Sequence, residues 1–181
     1  MSDRAIESLQ RILFREFLLE RDLYLEAGLE DLPARLAAAL GCGEDEAIDA
    51  LVDSPTLERL PLDRLRELLA IRDMGLVSRT AASVAQELRD SGASYDHCIR
   101  LALTYGVAGK FGHVFSALRV AAGHNDRWAR HHYLYSIVLG LQGNIERACW
   151  EANIALSTEP YPDGQLRIER VLGVLAGNCR K

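Results

Sequence analysis

The chain has 181 residues, 49% of them apolar, and a formal net charge of −5. That length and apolar content suit one compact domain or one short solenoid with a real core. The acidic balance argues against a chain built for nonspecific nucleic-acid binding, which needs a basic face.

The first predicted helix runs from Arg4 to Glu26. Ile6, Leu9, Leu13, Phe17 and Leu23 recur along one stripe, widened by Ile12, Phe14, Leu18, Leu19 and Leu25. Glu16, Glu20 and Arg21 give it a polar side, and Arg11 and Arg15 are expected on its solvated edge. A helix this apolar must pack on something. Residues 1–26 are therefore read as an N-terminal amphipathic helix and 27–181 as a single helical domain.

Two short helices follow. Asp31 is placed to cap 32–40, with Pro33 tolerated in the first turn, and 44–52 follows Gly41-Cys42-Gly43. Pro61 opens a helix over 62–74, and Ser78 one that runs to about 89. Ser94 is placed to cap 95–108, and 111–122 ends at Gly123. The segment 128–142 forms the next helix. Asn144 caps 145–156, which Pro160 stops, and Asp163 starts a closing helix that ends near Gly177. No segment shows the period-two alternation of a hairpin strand, so the fold class is all-α.

Gly41, Gly75, Gly109, Gly143 and Gly177 stand 34 residues apart. Glycine accepts the left-handed conformation in which one helix ends and the chain turns into the next. Other columns repeat with the same step. Leu101 falls on Tyr135, Tyr105 on Leu139, Gly106 on Gly140, Phe111 on Ile145 and Ala121 on Ala155. Large residues fill the space between paired helices, and small ones let their axes approach. Tyr105, Leu101, Leu118, Ala121, Tyr135, Leu139, Ala148 and Ala155 are the expected core.

These columns resemble the tetratricopeptide repeat family. Gln142, Gly143 and Asn144 look like its inter-helix turn, and Ala148, Ala155 and Pro160 match its small and proline columns. His132, Ser136 and Ala152 depart from the pattern, as do Asp53, Glu67 and Glu87 in the weaker N-terminal half. The resemblance implies stacked antiparallel helix pairs in an α-solenoid, with an N-terminal helix and a C-terminal capping helix. It also implies that the first helix of each pair lines a concave face. Register transfer puts Leu65, Leu69 and Arg72, then Ile99, Leu103, Gly106 and Val107, then Tyr133, Ile137, Gly140 and Leu141 on that face. Val171 and Leu175 of the closing helix complete it. The protein-binding groove is assigned to Leu65, Leu69, Ile99, Leu103, Gly106, Tyr133, Ile137, Gly140 and Leu141. Family members that grip a terminal carboxylate carry lysines and asparagines there; these aliphatic columns imply no such clamp.

An aliphatic groove costs free energy in water, so it should be filled. Three occupants are open: the chain's own first helix, the same helix of a second subunit in a homodimer, or an amphipathic segment of a client protein. The chain is similar in size, acidity and repeat count to the tetratricopeptide chaperones of type III secretion, which implies a bacterial, cytoplasmic chaperone or adaptor. The alternative is an accessory or regulatory subunit held permanently in a larger assembly.

Little points to chemistry. The sequence has no HExxH, CxxC, GxSxG or P-loop, and no catalytic residue, metal or cofactor is assigned. His97 and His131 stand one repeat apart and, with Cys98 and His132, are read as polar residues at repeat boundaries. Cys42, Cys98, Cys149 and Cys179 are read as incidental thiols of a reduced, cytoplasmic chain. Asp3, Arg4 and Glu7 interrupt the start, so no signal peptide is expected, and no stretch approaches the ~18 apolar residues of a membrane span.

Overall fold

The structure is a computed structural model that describes residues 1–20, 30–47, 61, 63, 67, 86, 94–124 and 129–179, residues 178 and 179 by backbone alone. Seven helices lie in these segments: α1 (Asp3–Leu18), α2 (Leu32–Leu40), α3 (Tyr95–Val107), α4 (Phe111–His124), α5 (Ala129–Leu141), α6 (Ile145–Thr158) and α7 (Pro162–Cys179). No strand occurs among the described residues, and no helix there is long and apolar enough to cross a membrane. The helices expected over 62–74 and 78–89 fall largely outside the described residues, as do Leu65, Leu69 and Gly75. Of the helix expected over 44–52, Glu44–Ala47 is described and helical.

The repeat is visible in the helix ends. Adding 34 to the bounds of α3 gives 129 and 141, those of α5; adding 34 to the bounds of α4 gives 145 and 158, those of α6. α3 packs on α4 and α5 on α6, each pair joined by a three-residue turn and so antiparallel. α4 also meets α5, and α6 meets α7, which closes the stack. The fold is thus all-α, with stacked antiparallel helix pairs between an N-terminal and a closing C-terminal helix.

Local chemistry sets the boundaries. The Ser94 hydroxyl accepts from the His97 N–H at 3.2 Å, and the Asn144 side-chain carbonyl from the Arg147 N–H at 3.4 Å. Gly109 and Gly143 turn each pair with φ of +71° and +82°, and Gly41 ends α2 with φ of +72°. The Lys110 N–H donates to the Tyr105 carbonyl and the Asn144 N–H to that of Leu139, one repeat on, which satisfies the same helix-end carbonyl in each pair.

Several expectations need correction. Gly177 lies within α7 and has no positive φ, so this fifth rung of the ladder is no turn. α4 runs through Gly123 to His124, because a glycine with helical φ lowers helix propensity without ending the hydrogen-bond ladder. α1 ends at Leu18, short of Glu26, and the Leu19 N–H closes its last turn onto the Arg15 carbonyl. Asp31 makes no capping bond; its carboxylate instead pairs with Arg35 at 3.0 Å, one turn on.

The core runs continuously through all seven helices. Leu101, Leu118, Ala121, Leu139, Ala148 and Ala155 are buried as expected. Tyr105 and Tyr135 are only half-buried. Tyr105 lies against the His113 ring, and Tyr135 stacks on Phe115 and donates its hydroxyl to the Phe115 carbonyl at 3.3 Å.

Candidate functional site

The candidate site is the groove lined by α3, α5 and α7, and α1 lies in it. Leu9 and Leu13 are one turn apart on α1, so both point the same way. A Cβ placed on Gly106 would sit 3.2 Å from a Leu13 methyl. One repeat on, a Cβ on Gly140 would sit 2.6 Å from a Leu9 methyl and 3.0 Å from one of Leu175. The two repeat-equivalent glycines therefore receive two leucines of one helical stripe. Their cost in helix propensity, ~1 kcal/mol each relative to alanine, is offset by this close approach.

Ile99 and Leu103 share the face of α3 that carries Gly106, and Tyr133 and Ile137 share that of α5 that carries Gly140. All four are buried, as are Val171 and Leu175 of α7. Leu141 is half-buried beside this core. On α1, Leu9 and Phe17 are fully buried and Leu13 nearly so. At ~1.5–3 kcal/mol for each large apolar side chain removed from water, this stripe supplies most of the attraction that seats the helix.

A polar cluster closes one end of the groove. The Tyr133 hydroxyl donates to Glu16 Oε1 at 3.2 Å, and Arg167 Nη1 of α7 lies 3.8 Å from Glu16 Oε2. Beyond the last turn of α1, Arg130 of α5 pairs with Glu20. Leu9 thus meets the C-terminal end of α5 and Glu20 its N-terminal end, so α1 runs antiparallel to α5. Between these groups opens a cleft of about 420 Å³, lined also by Leu19, Glu159, Gly164 and Ile168.

Glu16 is expected on the polar side of the first helix, yet it is only 4% exposed. Burial pushes its carboxyl pKa up, against the opposing pull of Arg167, Arg130, the Tyr133 hydrogen bond and Arg15. The Tyr133 phenol is raised well above its ordinary range, chiefly by burial and then by the Glu16 carboxylate. Arg11, expected on the solvated edge, is largely covered and pairs with Glu7 at 2.6 Å.

Away from the groove, His97 lies in the first turn of α3 and His131 and His132 in that of α5, at the starts of the two repeats, but the last two are buried. His131 is fully buried: its backbone N–H donates to the Tyr95 hydroxyl at 3.0 Å, and its Nδ1 lies 3.2 Å from the same oxygen. Burial lifts the Tyr95 pKa to about 12. His132 Nδ1 sits 2.7 Å from Glu151 Oε2 between α5 and α6. These buried polar bonds lock the pairs together, and no sequence motif marks them because their partners lie 36 and 19 residues away. Among the described residues no cluster of three His, Cys, Asp or Glu side chains is placed to hold a metal. The expectation of four incidental thiols is corrected at Cys149, which is disulfide-bonded, while Cys42 and Cys98 are free.

No protein-family model matches the chain, and no curated protein or solved structure matches it. The groove, its glycine seats and its polar end therefore have to be read on their own chemistry.

Proposed function

We propose that the chain is a tetratricopeptide-like interaction scaffold whose groove accepts an amphipathic helix from a protein partner, with α1 as its resident occupant. The observation that carries this reading is the seating of Leu9 and Leu13 on the repeat-equivalent Gly140 and Gly106. A groove built from repeated units presents seats at regular intervals, and a helix with aliphatic residues at i and i+4 fits two of them. Such a contact requires no feature found only in α1. A tethered occupant lowers a partner's apparent affinity by the fraction of time the groove is closed.

The test releases α1 without removing it. In the full chain carrying Leu9→Glu and Leu13→Glu, the tethered helix loses its seat, since a buried unpaired carboxylate is strongly unfavourable. A fluorescently labelled peptide of residues 1–20 should bind this chain with saturable anisotropy, and bind the unmodified chain more weakly. If the released chain is folded by circular dichroism and takes up no peptide, the groove is not a helix acceptor. α1 would then be a fixed part of the fold, and the reading as a constitutive accessory subunit would replace this one.

A further inference from the structure

The polar end of the groove adds a second layer of recognition, which rests on the helix-accepting reading above. We infer that the groove selects amphipathic partner helices by pattern: leucine-like residues at i and i+4, a side-chain carbonyl at i+7, and a carboxylate at i+11, just past the helix's last turn. The template is Leu9, Leu13, Glu16 and Glu20 of α1.

Each position has its own reader. Gly140 and Gly106 seat the two aliphatic residues. At i+7 the reader is the buried Tyr133 hydroxyl, which donates at 3.2 Å and whose oxygen lies in a place with little access to water. A helix with an apolar residue there would leave that hydroxyl without an acceptor, a cost of the kind that makes buried polar groups discriminating. Arg167 approaches the same side chain at 3.8 Å, from the outer edge of the cleft. Charge at i+7 is not itself required: burial works against the ionised carboxylate while Arg167 works for it, so a glutamine carbonyl satisfies Tyr133 equally well. At i+11 the reader is Arg130, whose guanidinium holds Glu20 at the rim. Both groups are partly exposed, 41% and 28%, so the pair contributes modestly when matched. A cation in place of the carboxylate would face Arg130 directly, and like charges across an interface suppress the wrong partner more than matched ones favour the right one.

The occupant is therefore a helix of stated chemistry, not any apolar segment. Two leucine seats alone would admit many amphipathic helices; the donor and the cation at one end fix both direction and register. A helix entering in the opposite direction would present its aliphatic pair to the glycines and nothing to Tyr133 and Arg130.

The experiment ranks four labelled peptides of residues 1–20 against the full chain released by Leu9→Glu and Leu13→Glu. The unmodified peptide and its Glu16→Gln variant should bind within about threefold of each other, while Glu16→Leu and Glu20→Arg should each bind at least about tenfold more weakly. Adding Arg130→Glu to the chain should restore the Glu20→Arg peptide and weaken the unmodified one, a reversal that simple loss of packing cannot produce. If the four peptides bind alike, the selection is overturned while the helix-accepting groove stands. If none binds, the groove reading itself fails. Should the released chain not fold, the same peptides are titrated in excess into the unmodified chain, with amide hydrogen exchange of residues 3–18 reporting displacement of α1. The same ranking is expected there, and equal displacement by all four overturns the inference.

Discussion

Glu16 is a buried carboxylate at the polar end of the groove. Its carboxyl is buried and its folded-state pKa is raised, so between the unfolded value of about 4.3 and the higher folded one the native chain holds more protons than the unfolded chain. Stability from this group is therefore fully present below that window and is lost as pH rises through it. Glu16→Gln keeps an acceptor for the Tyr133 hydroxyl and cannot ionise. The variant should be no less stable than the parent at pH 7, and its stability should fall less between pH 4, where the window opens, and pH 7. Urea unfolding at the two pH values measures both; an unchanged slope would place the titration elsewhere. The sequence suggested none of this. Glu16 falls among Glu20, Arg15 and Arg21 and reads as one more charge on the helix's polar side, because helical periodicity reports only the elements that helix position faces on average. The donor that makes its burial tolerable, Tyr133, lies 117 residues away in the chain.

At the scale of elements, the helix hairpins were the most legible part of the chain. The turn glycines Gly109 and Gly143, the caps Ser94 and Asn144, and the 34-residue step each left a local mark, and the helix bounds follow them within two residues. Gly143→Val tests that reading. Nothing lies within 4 Å of where its Cβ would go, so any loss is backbone strain at φ of +82° and not a clash. The expected destabilisation is ~1–2 kcal/mol, read as a lower midpoint in chemical unfolding with unchanged slope. Gly177 shows where the signal stops. It satisfies the same spacing, but its φ is not positive and the backbone of α7 continues helically through it to Cys179. Gly106 and Gly140 were legible as places of close approach, though not in what approaches. A glycine inside a helix records that something presses on the backbone; whether that is a neighbouring repeat or the first helix is decided by side chains far away in sequence.

For the molecule as a whole, the groove is part of the core. Ile99, Leu103, Tyr133 and Ile137 belong to the same buried cluster as Leu9, Leu13 and Phe17. Leu103, which the sequence places on the concave face, is fully buried. Leu103→Glu should therefore lower global stability by several kcal/mol, the typical cost of an unpaired charge placed inside, and should abolish the cooperative melt or shift it far down in temperature. A normal circular-dichroism melt would mean that α1 leaves the groove at little cost and that the face tolerates solvent.

The seat of Leu9 has a further consequence for how the chain comes to be folded. One side of that seat is Leu175, which lies 166 residues later in the sequence. Helix hairpins such as α3–α4 close through local contacts and can form as they are made. The first helix cannot, because its docking surface is finished only when the last helix arrives. At roughly 5–20 residues per second, the stripe Leu9, Leu13 and Phe17 waits about ten to thirty seconds of synthesis without its native cover. During that interval this strongly amphipathic helix is available to whatever binds nascent amphipathic helices, including the same helix on a neighbouring nascent chain. The order of synthesis thus separates two populations that share one fold: chains whose first helix is held until the closing helix is complete, and chains in which it has already found another partner.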